Sequence, residues 1–171
     1  VGHKINTNKY KKIKINNENL LNINNLSRPA QNQFSVELKN INLSVKGGEI
    51  LGIAGIAGNG QSELMEALTG EYLSNKSDKI LFNGFDISNF KPNERRKLGI
   101  SFIPEERIGH ATVSSFNLSE NFYLTDYIND NSSNYGIVNT SFNNENASNI
   151  VNNYDVRVPH NNPLASSLSG G

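Results

Sequence analysis

The stretch that decides the fold covers residues 49–70 and reads EILGIAGIAGNGQSELMEALTG. Its first part, residues 49–54, is a short apolar run that predicts a buried β-strand. Its last part, residues 63–70, predicts a helix that is closed by a C-terminal glycine. A glycine-rich loop at residues 55–62 lies between them. A strand, a glycine loop and a helix in this order are the context of a phosphate-binding loop.

The loop matches the pattern G-x-x-x-x-G-K-[ST] at every fixed position except one, because Gln61 stands where the pattern has lysine. Glycines allow the loop amides to turn towards phosphate oxygens, and the helix N-terminus adds further amides and a favourable dipole. The Ser62 hydroxyl is a candidate Mg²⁺ ligand. The candidate nucleotide-binding residues are Gly55, Gly58, Asn59, Gly60, Gln61, Ser62 and Glu63.

Gln61 donates hydrogen bonds but carries no charge, so it stabilises a transferring phosphate poorly. We therefore expect a loop that binds nucleotide and hydrolyses it weakly or not at all. The alternative is a glycine-rich strand-to-helix turn that binds nothing, and the loop alone leaves this open.

Composition narrows the class of protein. The chain has 171 residues, a formal net charge of zero and no cysteine. The length suggests one domain with its own core, and the neutral charge does not favour binding to nucleic acid or to acidic lipid. Without cysteine there is no disulfide framework and no thiolate metal site. No run approaches the length of a membrane span, and the N-terminus lacks a signal-peptide pattern.

The segments around the loop predict a mixed α/β fold. Residues 20–26 and 34–45 alternate apolar and polar residues, which indicates an antiparallel layer with one solvated face. Residues 79–87 predict a strand that is broken by an Asn-Gly turn. A short helix at residues 92–98 and an apolar strand at residues 99–104 follow. Glu105 and Glu106 come directly after that strand; they suggest either Mg²⁺ or water contacts or an ordinary ion-paired loop.

The last third of the chain predicts helices. Residues 118–128 have helical spacing with Ser119 as the N-cap. Residues 141–154 predict a weaker helix that is capped by Ser141, with Ile150, Val151 and Tyr154 facing inward. We assign residues 1–19 to a polar linker or arm, residues 20–117 to a β-subdomain with a P-loop core, and residues 118–171 to a helical subdomain.

Three elements in order carry a family resemblance: the loop at residues 55–62, the run Ile-Pro-Glu-Glu-Arg at residues 103–107, and Leu-Ser-Gly-Gly at residues 168–171. Together they resemble the nucleotide-binding domain of an ABC transporter. The nearest pattern is the second, C-terminal cassette of the tandem ATP-binding subunits that energise bacterial uptake of simple sugars and nucleosides. The resemblance implies a P-loop ATPase core with an antiparallel β-subdomain and a partial helical subdomain, with the chain stopping at the signature motif.

The resemblance also implies ATP and Mg²⁺ as cofactors and a set of partners. Another cassette would pair with this one head to tail, and Leu168, Ser169, Gly170 and Gly171 would face the nucleotide held by the partner cassette. The helical subdomain would contact membrane permease subunits, with a solute-binding protein further along the pathway. No nucleic acid is implied, and the location implied is the cytoplasmic face of the cell membrane.

The departures from the family pattern bear on activity. Gln61 replaces the loop lysine, and Glu105 stands where other cassettes carry the Q-loop glutamine. Phe34 is only a candidate for the aromatic that stacks on adenine. The Walker B strand, its catalytic glutamate and the switch histidine are not in this sequence, so we expect no hydrolysis from this chain alone. Two other functions remain open: a non-hydrolytic regulatory nucleotide-binding domain, and a soluble ABC protein outside transport.

Overall fold

A computed structural model describes residues 18–73, 79–106, 109–127 and 131–168 of the chain. The chain divides into two compact units, Val1–Ile100 and Ser101–Gly171. The N-terminal arm predicted at residues 1–19 lies almost wholly outside the described residues. The assignment of residues 118–171 to a helical subdomain stays a prediction.

The first unit is built on an antiparallel sheet of four strands: β1 (Asn19–Arg28), β2 (Leu38–Lys46), β3 (Lys79–Phe82) and β4 (Phe85–Asp86). The strand order is β2-β1-β3-β4. In the middle strand, Ile23 lies opposite Leu43 of β2 and Ile80 of β3. Asn83 and Gly84 turn β3 into β4 with φ values of 49° and 79°, as an Asn-Gly hairpin requires. The predicted antiparallel layer and its hairpin are confirmed.

Helix α1 (Gln61–Thr69) supplies the apolar groups that complete the core of this unit. Its residues Leu64 and Ala67 pack with the buried residues of the sheet and its connections, namely Ile23, Leu26, Leu38, Ile80 and Ile87. The predicted helix is confirmed to within two residues, and Gly70 caps its C-terminus at φ 85°. Helix α2 (Pro92–Lys97) also forms as predicted, with proline in its first turn.

The two predicted apolar strands, residues 49–54 and 99–104, are not strands in this structure. Ile50 is 97% exposed, and Leu51, Ile53 and Ile103 are exposed as well. A strand forms only when a neighbouring strand pairs with its backbone groups. Within the described residues, no strand of either sheet pairs with these two segments. The prediction of a buried strand before the loop is therefore wrong for this structure.

The second unit contains α3 (Leu118–Asp126), a hairpin of β5 (Ser133–Asn134) and β6 (Ile137–Val138), and α4 (Thr140–Asn153), followed by a 3₁₀ turn (Ala165–Ser167). Helices α3 and α4 pack together. Each helix is capped two residues earlier than predicted: Asn117 accepts from Glu120 N–H, and Asn139 accepts from Phe142 N–H.

The inward face of α4 also differs from the prediction. Asn143 and Ala147 are its buried residues, whereas Ile150 is exposed and Tyr154 is 78% exposed. Asn143 Nδ2 donates to the carbonyl oxygen of Ser132 at 3.3 Å, so a polar residue faces the interior with a partner. The prediction rested on apolar spacing alone, which fails in a helix this rich in asparagine.

Candidate functional site

The glycine loop leads directly into the N-terminus of α1. Gly58 and Gly60 both have positive φ, at 83° and 104°. Gly60 is the N-cap of α1, and its carbonyl oxygen accepts from Leu64 N–H at 2.9 Å. The amides of the first helical turn therefore lie immediately behind the loop, where a helix can stabilise an anion.

The loop is packed on one side and open on the other. A Cβ placed on Gly60 would lie 3.0 Å from Leu38 Cδ2, so the start of β2 supports this end of the loop. A Cβ on Gly58 would meet nothing within 4 Å. Residues 51–59 are exposed, and so is Ser62 in the first turn of α1. The loop backbone and the Ser62 hydroxyl are therefore accessible to a ligand.

The side chain of Gln61 folds back into the loop. Its Nε2 donates to the carbonyl oxygen of Ile56 at 3.2 Å, and its Oε1 accepts from the backbone N–H of Asn59 at 3.2 Å. A Cβ on Gly55 would lie 2.3 Å from Nε2, so glycine at position 55 leaves the space for this amide. The sequence does not reveal this contact, because the direction of the side chain depends on the folded loop.

Glu63 has a structural partner in the segment before β2. Its Oε1 accepts from Val36 N–H at 2.9 Å. This hydrogen bond holds the pKa of the Glu63 carboxyl below its usual range, burial opposes the shift, and the charge of Arg28 adds to it. Glu63 thus ties the chain around Val36 to the loop, and its predicted contact with nucleotide stays a prediction.

Arg28, which the sequence analysis missed, links β1 to α1. It is buried, its Nη1 donates to the carbonyl oxygen of Glu63 at 3.2 Å, and its Nη2 forms an ion pair with Glu66 Oε2 at 2.6 Å. Its guanidinium also lies 4.6 Å from the centre of the Tyr72 ring. The signals in the sequence were an arginine just after an alternating strand and two glutamates three residues apart, Glu63 and Glu66, in the predicted helix.

The other predicted site residues are placed as follows. Phe34 is 86% exposed. In the second unit, Glu105 and Glu106 are exposed, and Leu168 is half-buried with its N–H donating to Ala165. Ser169, Gly170 and Gly171 lie outside the described residues. Within the described ranges, there is no group of three or more His, Cys, Asp or Glu side chains that could hold a metal ion. No described helix is long and apolar enough to cross a membrane.

Comparison with known proteins adds family relationships. The family model for the ABC transporter matches residues 38–171. The guanosine import ATP-binding protein NupO of Bacillus subtilis is 40% identical over 134 residues, which cover 78% of this chain and 26% of that protein. The nucleoside import ATP-binding protein NupA of Lactococcus lactis is 35% identical, over 82% of this chain and 28% of that protein. The ribose import ATP-binding protein RbsA of Clostridium tetani is 32% identical, over 95% of this chain and 30% of that protein. The chain thus spans between a quarter and a third of these relatives.

A solved structure supports the fold. The ADP conformation of MJ1267, an ATP-binding cassette of an ABC transporter, superposes with a TM-score of 0.60 over 90% of this chain and 60% of that chain, at 22% identity. At this identity the likeness concerns the fold alone.

Proposed function

The chain belongs to the ABC transporter family, and from this premise we propose that it is part of the ATP-binding subunit of an importer for simple sugars or nucleosides. Relatives named for guanosine, nucleoside and ribose import support this solute class. The match to residues 38–171 covers both the glycine loop and the start of the signature.

The observation that carries the proposal is the loop at the N-terminus of α1. Gly60 turns the chain so that the first-turn amides follow the loop directly, and Gly58 leaves its outer side open. These features fit the phosphates of ATP, which the loop amides would bind. The Ser62 hydroxyl would hold Mg²⁺, which supplies charge neutralisation for the phosphates when it is bound.

A second function is favoured by Gln61. The segment at residues 47–75 contains no lysine or arginine, so the loop itself brings no cation to the phosphates. This favours a cassette whose own site binds ATP without hydrolysing it and regulates a partner cassette. Replacing Gln61 with lysine would add the charge, and we expect Gln61→Lys to bind ATP more tightly than the wild type.

The remaining parts of the proposal follow from family membership. A second cassette would pair head to tail with this one, and residues 168–171 would face its nucleotide. Permease subunits would contact the second unit, with Glu105 at the Q-loop position close to that contact. The subunit would act at the cytoplasmic face of the membrane, and a solute-binding protein would deliver the solute.

The loop is tested by calorimetric titration of the chain with ATP, with Mg²⁺ and with EDTA. We expect ATP to bind and Mg²⁺ to increase the affinity, and we expect Ser62→Ala to lose most of the Mg²⁺ effect. Ser44→Ala, at an exposed position on β2, is the matched control. The local site would be refuted if neither the folded wild type nor a folded Gln61→Ala variant binds ATP under either condition.

The solute is tested in the source cell by deleting the gene and measuring uptake of labelled guanosine and ribose. Loss of uptake of either solute, restored by the intact gene, supports the importer. Unchanged uptake of both, in a deletion strain that also takes up xylose and galactose normally, points to an ABC protein outside this transport class.

A further inference from the structure

The side chain of Gln61 occupies the inside of the loop in which a nucleotide phosphate is expected to bind. It bridges two points of the loop, because Nε2 reaches the carbonyl oxygen of Ile56 and Oε1 reaches the N–H of Asn59, each at 3.2 Å. Gly55 leaves the room for it, since the three atoms nearest to a Cβ there all belong to Gln61, with Nε2 the closest at 2.3 Å.

The two ends of a carboxamide explain why glutamine can do this. A carboxamide donates through nitrogen and accepts through oxygen, whereas the ammonium of lysine only donates. The Oε1 of Gln61 therefore takes the Asn59 N–H, which is one of the loop donors that a phosphate oxygen would use. A lysine at this position would leave that amide free.

We propose that Gln61 is an internal ligand of its own phosphate loop, which holds the loop in shape without nucleotide and must leave before phosphate reaches the Asn59 amide. The inference rests on the proposed nucleotide binding and assigns to Gln61 a competing role in it. Both hydrogen bonds are exposed to solvent, although Gln61 itself is half-buried, so water can replace them when the side chain leaves. The net contribution of one such hydrogen bond changes the equilibrium between the bound and released side chain about two- to tenfold.

The position of the side chain is tested first without nucleotide. Gly55→Ala puts a methyl group 2.3 Å from Nε2, and Gln61→Ala removes the three atoms that lie nearest to that methyl group. We expect Gly55→Ala to lower the thermal midpoint in the wild type and to have a smaller effect with Gln61→Ala. Equal effects in the two backgrounds would show that Gln61 does not occupy the loop, and would overturn the proposal.

Competition is tested by nuclear magnetic resonance of the full chain, with ¹⁵N labelling and the Asn59 and Gly60 amides as local probes during ATP titration. Gln61→Ala empties the loop, and Gln61→Met keeps the length of the side chain without its hydrogen bonds. We expect both variants to reach half-saturation at ATP concentrations several-fold lower than the wild type. Tm values measured beside each titration ensure that folded proteins are compared.

The outcomes separate this inference from the proposed function. If ATP shifts the Asn59 amide in the wild type and the two variants bind equally or more weakly, the loop binds nucleotide but Gln61 does not compete, and only the inference is overturned. If the variants bind and the wild type does not, Gln61 blocks the loop and the inference is supported. If ATP shifts the Asn59 amide signal neither in the wild type nor in the variants, nucleotide binding at this loop is refuted and the competing role is refuted with it.

Discussion

Arg95 of α2 donates from Nη1 to the carbonyl oxygen of Ala67, in the last turn of α1, at 2.6 Å. The same nitrogen reaches Leu68 O at 2.7 Å, Nε reaches Phe90 O at 2.9 Å, and Nη2 reaches Ile87 O at 3.0 Å. The side chain is 0% exposed, and burial lowers its pKa to about 10. Carbonyl oxygens at the C-terminal end of a helix carry partial negative charge, so they suit a buried cation. Arg95 thus fixes the end of the helix that begins at the glycine loop.

Replacing Arg95 with methionine should destabilise the first unit. Methionine keeps most of the volume but leaves the carbonyl oxygens of α1 buried without a donor, so we expect a loss of about 2–4 kcal/mol of unfolding free energy. Urea denaturation measures it. Lys97→Met, at an exposed position on the same helix, is the control and should change stability by about 0.5 kcal/mol at most. Similar losses of unfolding free energy in the two variants would refute the stabilising role of Arg95.

Gly70 leaves the space that the Arg95 side chain needs at the end of α1. A Cβ there would lie 2.5 Å from the carbonyl oxygen of Phe90 and 2.9 Å from Arg95 Nε, at φ +85°. Gly84 has a similar φ of +79°, and a Cβ there would meet nothing within 4 Å. Both alanine variants suffer the same backbone strain, so their difference isolates the collision. We expect Gly70→Ala to cost about 1–3 kcal/mol more than Gly84→Ala in denaturation; equal costs would show that the backbone yields.

Local signals in the sequence were enough for α1, α2 and the Asn83-Gly84 hairpin. A glycine cap, a proline in the first turn and a pair of turn residues act over a few positions, so each can be recognised without the fold. The same local pattern located the glycine loop in front of α1, and nucleotide binding by its residues stays a prediction.

Features that depend on distant partners were not predictable. The apolar run at residues 49–54 has the composition of a strand, but a strand also needs neighbours that pair with it. The choice of Asn117 and Asn139 as caps over nearby serines depends on where the chain enters each helix. The contacts of Gln61 with residues 56 and 59, and of Glu63 with Val36, depend on the side-chain directions that the folded loop imposes.

Glu63 should make the stability of the first unit depend on pH in the acidic range. Its carboxyl has a pKa below the ordinary value of about 4.3 because Val36 N–H donates to it. A lowered pKa in the folded state means that the unfolded state binds the proton first as pH falls. The stabilisation is therefore fully present above about pH 4.3 and is lost as pH falls through the lower, folded value.

The measurement is the unfolding free energy of the wild type and Glu63→Gln between pH 7 and pH 2.5. Glutamine keeps an acceptor for Val36 N–H but does not titrate, so the wild type should be the more stable by a margin that shrinks towards pH 2.5. Glu37→Gln removes an exposed carboxyl that forms a surface ion pair with Lys39, and it should change little. A margin for Glu63→Gln that is constant with pH would contradict the assignment.

Phe34 should contribute to nucleotide affinity if the loop binds ATP. The ring is 86% exposed, and two residues later Val36 is tied to Glu63 beside the loop. An exposed aromatic face two residues from that hydrogen bond offers a surface for the adenine base, and stacking of a base on an aromatic side chain is worth about 1–3 kcal/mol. We expect Phe34→Ala to weaken ATP binding by about tenfold and Phe34→Tyr to keep it, as measured by calorimetry.

Phe85→Ala removes another exposed ring, on β4, and is expected to leave the affinity unchanged. If Phe34→Ala and Phe85→Ala bind ATP equally well, the adenine base is held elsewhere and Phe34 is an ordinary surface residue.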